Sequence, residues 1–169
     1  MSALERLNKL LPSEARAELL RCCGSSRWAD GMVRSRPFRD AEHLLAEASW
    51  LWKQTGPEDW REAFTHHPRI GDVSQLRAKF ASTASWSSQE QGGVSGADEA
   101  VLQGLADGNA EYERRFGFIF LVCATGKSAA EMLDLLRARL DNPPDEELRI
   151  AAEEQAKITR IRLEKLLAS

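Results

Sequence analysis

Apolar positions recur along this chain at intervals of three and four, the spacing of amphipathic helices. Leu4, Leu7, Leu10 and Leu11 open the series. Ser2 with Glu5 makes a capping box ahead of them, and Pro12 interrupts the run. Ser13 can cap a second helix carrying Leu19 and Leu20 toward Cys22 and Cys23, with Gly24 as its left-handed terminator. Trp28 and Met32 suggest a short helix before Pro37. Asp40 precedes a helix over 41–52, rich in alanine and leucine. Pro57 suits the first position of the next, which would bury Trp60 and Phe64 and deliver His66 and His67 at its end.

The polar stretch from Asp72 to Gly96 accommodates short helices over 74–80 and 87–91. Val101, Leu105 and Tyr112 then mark a long helix over 97–116. Residues 118–124, Phe-Ile-Phe-Leu-Val-Cys-Ala, are the sole β-like run. One run cannot build a sheet, so it is expected to be a buried extended connector, although periodicity alone does not separate this from a buried helix start. Ser128 with Glu131 opens a helix through Leu140; Asn142-Pro143-Pro144 stops it, and a charged helix fills about 145–167. The pattern predicts a single all-α domain of about eight helices spanning 1–169.

Composition changes this picture little. A chain of 169 residues, 43% hydrophobic and 29% charged, is that of an ordinary globular protein. A net charge of -3 with basic and acidic residues interleaved disfavours a nucleic-acid partner. No apolar run reaches the roughly 18 residues needed to cross a bilayer, so no membrane partner is expected. An acidic residue near the N-terminus argues against a signal peptide, the end Leu167-Ala168-Ser169 is no peroxisomal address, and three cysteines without a Cys-x-x-Cys pair suit a reducing compartment. The expected location is the cytoplasm.

The chemistry concentrates at 65–72, Thr-His-His-Pro-Arg-Ile-Gly-Asp, which holds two of three histidines. Proline pushes the residue before it, His67, toward extended backbone, so this segment predicts a helix that ends and hands an imidazole to a loop. Histidine titrates near neutrality and is a natural proton donor or acceptor. A histidine at a helix C-terminus can equally be a dipole cap. His66 can face solvent or pack on Trp60, and His43 sits inside a leucine-rich helix. Paired histidines could also ligate a metal, as in a metal-dependent hydrolase, but no His-x-x-x-His, Glu-x-x-His or Cys-x-x-Cys spacing accompanies them. Gly126-Lys127-Ser128 lacks the upstream glycine of a phosphate loop. Glu90, Gln91 and Arg162 taken singly are ordinary surface residues, and Phe116, Phe118 and Phe120 are ordinary core. A non-catalytic helical binding module therefore stays open as well.

Taken in order, His67-Pro68-Arg69-Ile70-Gly71, Ser87-Ser88-Gln89-Glu90-Gln91, Glu113-Arg114-Arg115-Phe116-Gly117-Phe118 and Cys123-Ala124-x-Gly126-Lys127-Ser128 are more specific. The set resembles the 2-oxo-4-hydroxy-4-carboxy-5-ureidoimidazoline (OHCU) decarboxylases, the last enzymes of the route from urate to (S)-allantoin, from about Phe38 to Leu166. The resemblance implies a compact all-α homodimer working on a small molecule without metal or organic cofactor. It implies that His67 is the catalytic histidine, helped by Glu90. Pro68, Ser87, Ser88, Gln89, Glu90, Gln91, Phe120, Leu121, Val122, Cys123 and Ala124 would bind substrate, with Arg162 on the last helix receiving the carboxylate. Thr125 stands where many relatives carry a basic residue.

Overall fold

The protein is described by a computed structural model covering residues 1–69, 72–81 and 96–169. Among these lie nine α-helices and no strand: α1 (Ala3–Lys9), α2 (Pro12–Leu20), α3 (Ser26–Arg34), α4 (Ala41–Lys53), α5 (Pro57–Phe64), α6 (Val73–Ala81), α7 (Gly96–Phe116), α8 (Ala129–Leu140) and α9 (Pro144–Ala168). The expected all-α class is observed. Two compact units divide the chain, one of residues Met1–His67 with Ala152–Ser169, the other Pro68–Ala151.

Local capping explains most helix starts in the first unit. The Ser2 side chain accepts from Glu5 N–H while the Glu5 carboxylate accepts from Ser2 N–H, completing the capping box. Asp40 caps α4 through His43 N–H at 2.7 Å, and Pro57 occupies the first turn of α5. Two expectations need correction. Pro12 opens α2 instead of merely closing α1, because its missing N–H is one that a first helical turn leaves unpaired anyway. The cap is therefore Leu11, whose N–H donates to Glu14, and not Ser13. Gly24 does not end α2 in a left-handed conformation; Arg21 caps that helix in ordinary helical geometry, and among the described residues Gly117 and Gly126 are the ones with positive φ.

The core of this unit is built from Leu7, Leu19, Trp28, Met32, Leu44, Phe64 and Leu163, each 1% exposed or less. Trp60 is only half-buried, its indole N–H donating to Thr55 Oγ1 at 3.1 Å. Two other indoles act as cross-braces. Trp28 Nε1 donates to Ala48 O and Trp52 Nε1 to Ala152 O, both at 3.0 Å, so α4 is tied to α3 on one side and to α9 on the other. The Glu62 carboxylate on α5 accepts from both Ser26 N–H at 2.9 Å and Ser26 Oγ–H at 2.6 Å, seating α5 on the positive end of α3.

In the second unit, Leu76 and Phe80 of α6 pack with Leu102, Leu105, Ala106 and Tyr112 of α7 and Met132, Leu133 and Leu136 of α8. Gly108 makes the close approach of α7 and α8 feasible: a Cβ there would stand 2.5 Å from Leu136 Cδ2. Residues 117–124 form the expected non-helical connector, with Leu121 and Cys123 buried and Phe120, Val122 and Ala124 half-buried. Such alternation is what extended backbone produces. Ser128 caps α8 through Glu131 N–H at 3.1 Å. The helix expected over 87–91 lies outside the described residues.

Candidate functional site

The segment leaving α5 is wound by successive turn bonds, His66 N–H to Ala63 O at 3.1 Å and His67 N–H to Phe64 O at 3.3 Å. Pro68 has no N–H to continue the series, so winding stops there and the His67 side chain leaves the helix end. The loop is held on its other side by Gly24, where a Cβ would come within 2.3 Å of His66 Cγ. His66 is exposed, with its ring over this glycine.

The His67 imidazole is half-buried and both its nitrogens are engaged by α9. Nε2 lies 2.6 Å from Gln155 Oε1, and Arg162 Nη2 lies 3.4 Å from Nδ1. Gln155 is fully buried and its amide Nε2 donates to Thr159 Oγ1 at 2.9 Å. Thr159 in turn hydrogen-bonds Cys23. Residues 155, 159 and 162 are spaced i, i+4, i+7 and so share one face of α9. Sequence reasoning singled out Arg162 but missed Gln155 and Thr159. The signal was available, since a helical wheel puts both on the stripe of the buried Leu148, Ala152 and Leu163.

Electrostatics follow from burial. Desolvation lowers the His67 pKa below the ordinary 6.5; the Gln155 hydrogen bond opposes this, and the charges of Arg162 and His66 reinforce it. His67 is therefore neutral at neutral pH. Arg162 is half-buried, and among the described residues no carboxylate pairs with it. Burial also pushes the Cys22 and Cys23 thiols up to about 11, although Arg162 pulls both down. A neutral imidazole facing a guanidinium can accept a proton beside a bound anion. Among the described residues no group of three His, Cys, Asp or Glu side chains is arranged to hold a metal ion.

The remaining expected site residues fall elsewhere. Pro68, exposed, begins the second unit. Ser87, Ser88, Gln89, Glu90 and Gln91 lie outside the described residues. Phe120 to Ala124 belong to the second unit, where a buried polar cluster fixes them. Arg139 Nη1 donates to Leu121 O at 2.7 Å, and its guanidinium stands 4.6 Å from the Phe120 ring centroid. Arg139 Nε donates to Glu147 at 2.8 Å, and Tyr112 Oη–H donates to the same carboxylate. Lys127 Nζ donates to Cys123 O at 2.8 Å. Sequence reasoning did not identify this cluster, whose members lie on three helices.

Comparison with known proteins bears on the family and the fold. A family model described as OHCU decarboxylase matches residues 8–164. The uric acid degradation bifunctional protein TTL of Arabidopsis thaliana is 39% identical over 149 residues, 87% of this chain but 45% of its own length, so this chain spans less than half of that relative. The 2-oxo-4-hydroxy-4-carboxy-5-ureidoimidazoline decarboxylase of Amia calva is 33% identical over 132 residues, covering 78% of this chain and 75% of that protein. A crystal structure of an OHCU decarboxylase in the presence of (S)-allantoin superposes with a TM-score of 0.72 at 38% identity, covering 90% of this chain and 98% of the other. A crystal structure of an (S)-allantoin synthase shares the fold at a TM-score of 0.69 and 18% identity, covering 97% of this chain and 53% of the other. With the match running through nearly the whole chain and including the His67 loop and the Arg162 face of α9, this protein belongs to the OHCU decarboxylase family.

Proposed function

We propose that the protein decarboxylates 2-oxo-4-hydroxy-4-carboxy-5-ureidoimidazoline to (S)-allantoin, with His67 as the proton-transfer residue. The observation that carries this is the 3.4 Å approach of Arg162 to His67 Nδ1, which sets a guanidinium beside a neutral imidazole, with no carboxylate pairing it among the described residues. Arg162 receives the substrate carboxylate in a bidentate clamp, a geometry that guanidinium favours. That places the scissile carbon next to Nδ1.

When carbon dioxide leaves, its electron pair passes into the unsaturated ring of the substrate, which serves as the sink, so no metal or organic cofactor takes part. The protein has to hold the carboxylate, stabilise developing charge and deliver one proton to one face of the ring. His67 rests neutral, takes a proton from water, the hydroxide left behind combining with the released carbon dioxide as bicarbonate, and delivers that proton to the ring, a contribution of roughly 10²–10⁴-fold. Glu90 accepts from the ureido nitrogens or orients the imidazole. Pro68 and Ser87, Ser88, Gln89 and Gln91 contact the substrate. Phe120 to Ala124 offer it backbone groups, held in place by Arg139. The whole chain works as one family domain, in keeping with the match over 8–164. It acts as a cytoplasmic homodimer; its three buried cysteines form no disulfide, which suits a reducing compartment, and light scattering on the purified protein reads the dimer.

Substrate freshly generated by a hydroxyisourate hydrolase tests the activity. The protein is expected to accelerate loss of the substrate's ultraviolet absorbance and to give one enantiomer of allantoin by circular dichroism. A racemic product at the uncatalysed rate would overturn the assignment and favour a non-catalytic binding module.

A further inference from the structure

A neutral imidazole carries its one proton on either ring nitrogen. Two neighbours decide which. A guanidinium has donors only, so the nitrogen facing Arg162 has to present a lone pair: that nitrogen is Nδ1. The ring proton of neutral His67 then sits on Nε2, where Gln155 Oε1 accepts it at 2.6 Å. Turning the Gln155 amide over would aim its NH₂ at Nε2 and force the proton onto Nδ1, against the guanidinium. The amide is also held from behind, since its Nε2 donates to Thr159 Oγ1 at 2.9 Å and Thr159 is itself hydrogen-bonded with Cys23. Gln155 is 0% exposed and Thr159 6%, so water does not compete for these bonds.

We infer that Gln155, backed by Thr159, is a positioning residue that locks His67 in the Nε2–H tautomer and thereby makes Nδ1 the atom that exchanges the proton with substrate. The hydrogen bond made by one ring nitrogen sets the protonation of the other, and a buried amide with a fixed orientation does so more firmly than solvent can. The inference rests on the proposed decarboxylase reading for its catalytic consequence, while the tautomer itself does not depend on that reading. The charged and titratable groups facing this imidazole and its support are Arg162 on α9, His66 in the same loop, and Cys22 and Cys23 following α2. None of them is an acceptor for Nε2–H, which leaves Gln155 alone in that role among the described residues.

The test combines a spectrum with kinetics. In ¹⁵N-labelled protein, two-bond proton–nitrogen correlations of the His67 ring, assigned by their loss in His67→Asn, are expected to show a pyrrole-type Nε2 and a pyridine-type Nδ1. Gln155→Met, close in shape but without the acceptor, is expected to mix the tautomers and lower kcat roughly tenfold or more within the range acid–base catalysis supplies, with KM little changed. Gln155→Glu restores an acceptor for Nε2–H; it should recover kcat to within a few-fold and move the acid limb of the pH profile upward, because a carboxylate favours imidazolium. An Nδ1–H tautomer in the unaltered protein would overturn the inference even if both variants fail to fold. So would a Gln155→Met protein with unchanged kcat, whatever its spectrum. If His67→Asn retains full turnover, the decarboxylase role of His67 falls while the tautomer measurement stands.

Discussion

Arg162 stands 3.4 Å from Nδ1 of His67, a permanent cation facing an uncharged imidazole with no carboxylate partner among the described residues. Such an arrangement stores an electrostatic preference for a bound anion, and a substrate carboxylate satisfies it. Replacing Arg162 by alanine is expected to raise KM roughly ten- to a hundredfold, in line with the ~1.5–3 kcal/mol of a hydrogen bond to a charged group. Arg162→Lys should recover only part of this, because a single ammonium cannot make the two parallel bonds. Steady-state kinetics on the two variants give both numbers.

His67→Asn is expected to fold normally and lose roughly 10²–10⁴-fold in kcat. Decay of substrate absorbance under saturating substrate measures it.

The pH profile should reflect burial of the imidazole. Because desolvation lowers the His67 pKa below 6.5, the neutral ring persists into mildly acidic solution, and the acid limb of kcat/KM is expected below pH 6.5. Stability carries the same sign. The unfolded chain takes up a proton at His67 near pH 6.5 that the folded chain accepts only at lower pH. The contribution of this group is complete above about 6.5 and declines as pH falls from there to the folded value. Denaturant titrations of the parent and of His67→Asn between pH 7.5 and 5 should diverge in that direction.

Glu147 is 0% exposed and holds Arg139 and Tyr112 at once. Removing the carboxylate by Glu147→Leu strands a buried guanidinium and is expected to cost about 3–5 kcal/mol of stability. Tyr112→Phe removes one hydrogen-bond donor and should cost less, about 1–2 kcal/mol. Guanidinium unfolding curves separate the two.

Cys22 and Cys23 are buried, with thiols pushed up to about 11. At pH 7.5 neither should react with iodoacetamide on the time scale of minutes, whereas both should react once the chain is denatured. Mass spectrometry of the alkylated protein counts the modified thiols.

What could be read from the sequence was local. Ser2, Asp40, Pro57 and Ser128 start helices through groups within three or four residues, so their roles were legible without a fold. His67 and Arg162 stood out through motif order, and α9 brings them together across 95 positions in sequence. The misses required a tertiary partner. Glu147 lies among Asp145, Glu146 and Glu147 in the first turn of α9, where acidic residues are expected on dipole grounds alone; only the presence of Arg139 makes it a core residue. Gln155 and Thr159 fall on the apolar stripe of a charged helix, which marks them as buried, but only His67 beside them shows what they hold. Gly24 was misjudged because glycine after a helix suggests a turn, whereas here it supplies room.

That room at Gly24 couples a position with no side chain to the aim of the imidazole. Any larger residue there must first displace the His66 ring, whose Cγ would lie 2.3 Å from the new Cβ. His66 is joined to His67 by one peptide unit, and Pro68 stiffens the chain on the far side, so the displacement is expected to reach the His67–Gln155 bond. Position 24 is thus a steric dial on proton-transfer geometry: side-chain volume added there would alter turnover without altering any group that meets the substrate.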